Sequence, residues 1–196
     1  MNRMEKSDVI CMLQEHGAIV TGHFELPSGL HSATYAELAV VLQYPFMAQR
    51  LAKALAAKFP QEVDVVVSPA VGGVVIGQEV ARVKKCRAIF AERSGAAMGF
   101  RRDFKLERGE RLLVVEDVLT TGHSTGQLVS LAGVYGAKVV GVAAILDRSS
   151  GALPLRVPVR ALASYPSVVY PVEACVLCQA GVVPLTHPSR GGEVRP

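Results

Sequence analysis

Four apolar residues, Leu112-Leu113-Val114-Val115, run straight into two carboxylates, Glu116-Asp117, and after one apolar step the chain becomes the hydroxylated turn Thr120-Thr121-Gly122-His123-Ser124. Few folds accommodate that order. The apolar run predicts a strand buried on both faces. A helix is predicted from Ser124, with Leu128, Leu131, Ala132 and Tyr135 at helical spacing and a stop at Gly136. A strand end meeting a helix start offers backbone N–H groups at the positive end of a helix dipole, and Thr120, Thr121 and Ser124 add three hydroxyls. That combination suits a phosphate, with Glu116 and Asp117 placed to hold hydroxyl groups or a metal beside it. A plain strand-to-helix junction needs one hydroxyl as a cap and leaves the paired acids without a role.

The same alternation extends over the chain. Residues 63–67 form a β-branched apolar run, a second strand buried on both sides, ending at Ser68-Pro69-Ala70-Val71-Gly72-Gly73. A helix is predicted at about 74–83, a strand at 87–91, a flexible segment at 92–95 and a hairpin arm at 99–105. Strands follow at 139–146, ending at Asp147-Arg148, and at 159–163, the latter an edge. Towards the N-terminus, Ser7-Asp8 caps a helix carrying Val9, Ile10 and Leu13 and ending at Gly17. Residues 18–42 read as a small lobe broken by Pro27-Ser28-Gly29. Pro45 opens a helix with Met47, Leu51, Ala54 and Leu55 on one face, reaching Phe59. The expected architecture is α/β, a doubly wound parallel sheet. One domain spans 1–196, with a core at about 45–165, hood elements at about 1–42 and in the C-terminal segment, and a loose tail from about Pro184.

Composition limits the function. Half of the 196 residues are hydrophobic and 19% are charged, as expected of a globular chain that buries a core. No apolar run approaches the roughly 20 residues that span a bilayer, and the first six residues lack the apolar core of a signal peptide. A cytoplasmic protein with no membrane partner is expected. The net charge of +4 is concentrated: between Arg82 and Arg111 stand ten Lys/Arg and four Asp/Glu. With no basic tail, no aromatic interleaving and no Trp, that field suits a small anion and gives no reason to expect nucleic acid.

Cys11 and Cys86 sit alone on apolar stretches and read as packing residues. Cys175-Val176-Leu177-Cys178 is a single CxxC without a second half or a nearby His pair, and a zinc site needs four ligands. Completion across a dimer interface is the route left open.

Ligands of open parallel sheets sit beyond the carboxyl ends of the strands. Four such ends carry distinctive residues: 68–73, Glu92-Arg93, 116–124 and Asp147-Arg148. Their convergence predicts one site built from all four.

Val114-Val115-Glu116-Asp117-Val118-Leu119-Thr120-Thr121-Gly122 resembles the signature of the type I phosphoribosyltransferases. The resemblance implies that the chain binds phosphoribosyl diphosphate in such a fold, with a small hood lobe. Glu116 and Asp117 would hold the ribose and support its developing positive charge, Val118 and Leu119 would join the phosphoribosyl diphosphate site, and Thr120, Thr121, Gly122, His123 and Ser124 would fix the 5′-phosphate. Ser68, Ala70, Val71, Gly72 and Gly73 occupy the place of the pyrophosphate loop, and Arg93 is a further candidate for binding phosphoribosyl diphosphate. Mg²⁺ bridging substrate oxygens, with Glu116 and Asp117 as possible ligands, is the implied cofactor.

Phe24-Glu25-Leu26-Pro27-Ser28-Gly29-Leu30-His31-Ser32-Ala33-Thr34-Tyr35 is similar to the Phe-x-Leu-Lys-Ser-Gly-x-x-Ser-x-x-Tyr segment of the orotate-using members. Those members grip the orotate carboxylate with an arginine at the place of Arg148. The resemblance therefore assigns Tyr35, Thr120 and Arg148 to orotate; a planar guanidinium matches a carboxylate in paired, charge-assisted hydrogen bonds. It also implies a homodimer with shared sites, for which residues 33–41 and an arm at 97–105 are the candidate surfaces.

The chain departs from that pattern in three places. The lysine before Ser-Gly is Pro27, the lysine of the pyrophosphate loop is Gly72, and the catalytic loop offers Arg93, Arg101, Arg102 and Lys105 with no His. Arg101 and Arg102 are the catalytic candidates there, and His31 is the candidate to take over part of the lost lysine's work. The competing readings are a purine phosphoribosyltransferase, which Arg148 and Ser28-Gly29 do not support, and a regulator that keeps the phosphoribosyl diphosphate site but binds nucleic acid. A redox or zinc protein built on the CxxC would explain only the C-terminal segment.

Overall fold

Val65, Val67, Leu112 and Val114 face one side of a parallel sheet while Val66, Leu113 and Val115 face the other, and every one of them is buried. Side chains alternate across a strand, so near-continuous apolar runs force a sheet covered on both faces. The structure, a computed structural model, describes residues 4–95, 97–150, 153–181 and 183–188.

The main sheet contains β3 (Val65–Pro69), β4 (Arg87–Ser94), β5 (Ala97–Phe100), β6 (Arg111–Leu119), β7 (Lys138–Asp147) and β8 (Val159–Ser164). Its order is β5-β4-β3-β6-β7-β8, parallel except for β5, which pairs antiparallel with β4. Helices α1 (Lys6–Glu15), α3 (Pro45–Ala57) and α4 (Gly72–Lys84) contribute to one core, and α5 (His123–Val134) to the other. The chain winds outward in opposite directions from β3 and β6. The ends of these two central strands therefore frame the crevice where such sheets bind ligands.

A second sheet, ordered β10-β1-β2-β9, forms the hood: β1 (Ile19–Glu25) and β2 (His31–Ala36) make a hairpin, flanked by β9 (Val169–Tyr170) and β10 (Leu185–Thr186). The short helix α2 (Ala39–Leu42) joins the hood to the core, and a 3₁₀ turn (Val172–Ala174) leads into α6 (Val176–Ala180).

Several expectations shift. The strand predicted at 63–67 lies two residues later, and β6 runs through the acidic pair to Leu119, because its backbone keeps pairing with β7 as far as Asp147. Residues 92–94, expected to be flexible, continue β4. The hairpin expected at 99–105 is formed earlier, by β4 and β5. Glu5, not Ser7, is the N-cap of α1, and Asp8 accepts the Glu5 backbone N–H at 3.1 Å. Leu185 and Thr186, expected in a loose tail, pair with His23 and Phe24. Cys11, expected to be packed, is exposed on α1.

Candidate active site

Between hood and core lies a cavity of about 1190 Å³. Its floor is the C-terminal ends of β3, β6 and β7, represented by Val71, Gly72, Asp117, Val118, Thr120, Thr121 and Arg148; its roof is Tyr35, Glu37 and the β1–β2 loop residues Leu26, Pro27, Ser28 and Leu30. Leu42, Gln43 and Leu153 extend the walls.

The two acids have separate surroundings. Asp117 faces the cavity, whereas Glu116 accepts a hydrogen bond from the Thr125 hydroxyl in the first turn of α5. Burial pushes the Glu116 carboxyl up to about 7, against the Thr125 hydrogen bond, and the neighbouring Asp117 charge adds to the rise. Burial also raises Asp117; backbone N–H groups of Val118 and of Asp117 itself oppose the rise, and Glu37 reinforces it. Both groups thus carry an energetic demand for a cation or hydroxyl donors.

Gly72 explains one departure from the expected pattern. A Cβ at this position would stand 2.7 Å from Asp117 Oδ2, so any side chain here displaces the carboxylate. The Ala70–Val71 peptide before it is cis, and Val71 is 84% exposed at the cavity edge. Gly122 is the other special position: it is the N-cap of α5 with φ +72°, a left-handed conformation that favours glycine. That conformation turns the chain from β6 into α5 and leaves Thr120 and Thr121 exposed over the helix start. The Thr121 hydroxyl oxygen accepts the His123 N–H at 3.4 Å, and Arg93 Nη2 reaches the Ser124 hydroxyl at 3.2 Å. Arg93 on β4 thereby meets the start of α5.

Arg148 is only 6% exposed. Its Nη2 donates to the Thr34 hydroxyl at 2.6 Å, the Thr34 carbonyl at 3.2 Å and the Ser167 hydroxyl at 3.0 Å, and its Nε is buried without a partner. No carboxylate pairs with it among the described residues. Burial works against its charge, opposed by the nearby Tyr165 and Tyr35. Tyr35, stacked at a tilt on Phe24 with ring centroids 5.7 Å apart, has its phenol raised by burial and then by Glu37, with Arg148 opposing. A buried guanidinium with an unsatisfied N–H on a cavity wall is a receptor for an anion, and a planar one when the opposite wall carries an aromatic ring.

Residues 45–171 match the family described as the phosphoribosyl transferase domain. The orotate phosphoribosyltransferase of Caldicellulosiruptor bescii is 44% identical over 186 residues, covering 94% of this chain and 97% of that relative. The chain belongs to the orotate phosphoribosyltransferase family. Among solved structures, an orotate phosphoribosyltransferase from Aeropyrum pernix aligns with a TM-score of 0.68 at 22% identity, over 88% of this chain and 98% of that one. An adenine phosphoribosyltransferase from Rhodothermus marinus aligns nearly as well, with a TM-score of 0.63 at 21% identity over 81% and 99% of the two chains. The fold is therefore common to enzymes named for different bases, and the full-length sequence relation distinguishes them.

Of the residues that the orotate phosphoribosyltransferase pattern singles out, Tyr35, Val71, Gly72, Asp117, Val118, Thr120, Thr121 and Arg148 line the cavity. Ala70 and Gly122 belong to the two strand-to-helix turns beside it, and Gly73, His123 and Ser124 to the first turns of α4 and α5 that follow them. Ser68 and Leu119 do not face it. Ser68 is 2% exposed, its hydroxyl buried without a hydrogen-bond partner against Gly77 of α4, and Leu119 is in the core below α5. Arg101 and Arg102 follow β5 at the surface, outside the cavity, with Arg102 paired to Glu92 at 3.1 Å and stacked over Phe90.

His31 is a correction: it is buried inside the hood against His23, not in the cavity, and takes no part in replacing a lysine there. Sequence reasoning missed Glu37, Thr125, Thr34 and Ser167. Thr34 stood within the motif that was read. Thr125 was detectable only as a hydroxyl one turn into the helix, and Ser167 had no sequence signal at all.

Proposed function

We propose that the protein transfers the 5-phosphoribosyl group of phosphoribosyl diphosphate to orotate, giving orotidine 5′-monophosphate and pyrophosphate in pyrimidine nucleotide synthesis. The observation that carries the choice of acceptor is Arg148, a buried guanidinium on the wall shared with Asp117 that has no carboxylate partner among the described residues. The orotate carboxylate supplies the missing counter-charge; the apolar wall of Leu26, Leu30 and Leu42 receives the flat ring edge, with Tyr35 beside it.

A deprotonated ring nitrogen of orotate attacks C1 of the ribose as the C1–O bond to the diphosphate breaks and its electron pair leaves with pyrophosphate. Positive charge develops on the sugar. Asp117, held at the strand end against Gly72, presents a preorganised carboxylate to that charge. Residues 120–124 fix the 5′-phosphate with N–H groups at the start of α5, and Arg93 extends from β4 toward the same turn. Glu116, kept partly protonated near neutral pH, holds Thr125 and hence the first turn of that helix.

Mg²⁺ would fit this donor set, since Asp117 and Glu37, two carboxylates with hard oxygen donors, both line the cavity and would hold it. When bound, the ion would supply positive charge to offset that of the leaving diphosphate. We infer a homodimer as well: Arg101 and Arg102 stand on the surface beyond the β4–β5 hairpin, where they can reach a neighbouring subunit's diphosphate.

Mixing protein with phosphoribosyl diphosphate, Mg²⁺ and orotate should yield orotidine 5′-monophosphate and pyrophosphate in equal amounts. Absence of both with correctly folded protein would refute the proposal.

A further inference from the structure

The hood contains a second cluster of chemistry, away from the cavity. His23 on β1, His31 on β2, Cys175 at the start of α6 and Cys178 in its first turn point one donor atom each at a common centre, and these atoms all lie within 4.8 Å of one another. His23 Nε2 is 3.0 Å from His31 Nδ1, 3.5 Å from Cys175 Sγ and 3.6 Å from Cys178 Sγ; Cys178 Sγ is 3.3 Å from His31 Nδ1. Zinc–nitrogen bonds of about 2.0–2.1 Å and zinc–sulfur bonds of about 2.3 Å in a tetrahedron separate the donors by roughly 3.3–3.8 Å. Three of these four spacings fall within that range, and the imidazole-to-imidazole distance of 3.0 Å lies just below it.

We propose that His23, His31, Cys175 and Cys178 bind one zinc ion, which clamps the C-terminal segment onto the β1–β2 hairpin. Two imidazoles and two thiolates in a tetrahedral arrangement are a zinc ligand set. A two-iron cluster would hold the cysteines on one iron and the histidines on the other; sulfur-to-nitrogen contacts of 3.3–3.6 Å leave no room for that. The far ring nitrogen of His23 lies 3.2 Å from the Val183 carbonyl, so its N–H donates there and its Nε2 lone pair turns to the centre, the usual orientation of a metal-bound imidazole. Two thiolates cancel the ion's charge, so the filled site adds no net charge to the hood interior. The single CxxC is completed within one chain: folding of β1 against β2 and of residues 175–178 against both brings in the two histidines, which lie more than 140 positions away in sequence.

The site is structural. All four positions are filled by protein atoms, whereas a catalytic zinc keeps one open. The loop between His23 and His31 carries Leu26, Pro27, Ser28 and Leu30 of the cavity roof, so the ion fixes the frame that this loop spans.

The test uses the full-length protein, made with zinc available and dialysed into buffer containing Mg²⁺ but no transition metal. Mass spectrometric metal analysis should find about one zinc per chain, and Cys178→Ser, altered at an exposed position, should retain a small fraction of that. Metal-free wild-type protein titrated with Co²⁺ under reducing conditions should develop a thiolate-to-cobalt charge-transfer band and the intense visible bands of tetrahedral coordination, saturating at one equivalent. Zinc removal should also lower the Tm by several degrees. The proposal is overturned if wild-type protein holds only traces of metal and gives octahedral cobalt spectra, or if Cys178→Ser binds as much zinc as the wild type. The cobalt titration decides the matter even if the variant does not fold, and neither readout depends on which base the enzyme uses.

Discussion

Glu116 and Asp117 are adjacent in the chain, yet one faces the helix and the other the cavity, because consecutive strand residues point to opposite sides. Asp117→Asn removes the charge proposed to face the ribose, with little change in volume. Turnover should fall by about 10²-fold or more with a Tm no lower than that of the wild type, because the amide carries no buried charge, and near-normal turnover would remove Asp117 from the site. Glu116 predicts a pH effect on stability. Its carboxyl rises in the folded chain from an ordinary value of 4.5 to about 7, so between those values the folded state holds a proton that the unfolded state has released. Unfolding free energy therefore falls as pH rises through this window and levels off above it. Glu116→Gln escapes that loss; measured by denaturant titration from pH 4 to 8, its stability relative to wild type should improve by up to about 3 kcal/mol. Parallel pH profiles would show that Glu116 is not the titrating group. Arg148→Ala should raise the orotate KM roughly 10- to 100-fold, the loss of a charged hydrogen-bonded pair, while leaving the phosphoribosyl diphosphate KM nearly unchanged. Equal increases in both constants would count against its proposed role.

At the scale of elements, the strand that carries the paired acids and the helix that follows were both legible: Leu112 to Val115 are buried, as are Leu128 and Ala132 of α5, whereas Tyr135, expected on the same helix face, lies just past the helix end and is exposed. Strand ends were not legible. Backbone pairing with β7 carries β6 past the point where its apolar run stops, and pairing with β5 carries β4 through polar residues. The turn between β6 and α5 depends on Gly122 at φ +72°, and a Cβ there would also meet Leu153 at 3.1 Å. Gly122→Ala should cost about 1–2 kcal/mol in a thermal unfolding experiment and weaken phosphoribosyl diphosphate binding more than orotate binding. A variant as stable and as tight-binding as wild type would mean that the turn tolerates an ordinary backbone. The hood was read as a lobe, but its four-stranded sheet was hidden, because two of its strands are two residues long and arrive from the far end of the chain. The histidine–cysteine cluster was hidden for the same reason. Nothing local to Cys175 and Cys178 announces ligands at 23 and 31.

Across the whole molecule, the central strands β3 and β6 turn the chain outward in opposite directions and so place the 68–73 turn opposite the 116–124 turn, with Arg148 one strand further along the sheet edge. The positive segment at 82–111, evident from charge alone, supplies Arg93 to the start of α5 and carries Arg101 and Arg102 past β5. The clearest sign of the proposed donor site was one contiguous stretch, residues 116–124, whereas the residues proposed for the acceptor, Tyr35 and Arg148, lie on walls between hood and core that only the fold assembles. No helix among the described residues is long and apolar enough to cross a membrane. The decisive measurement is pyrophosphate release from phosphoribosyl diphosphate and Mg²⁺ in the presence, separately, of orotate, uracil, adenine, hypoxanthine and xanthine. Release with orotate and none above background with the other bases is the predicted result; release with a purine and none with orotate would contradict it.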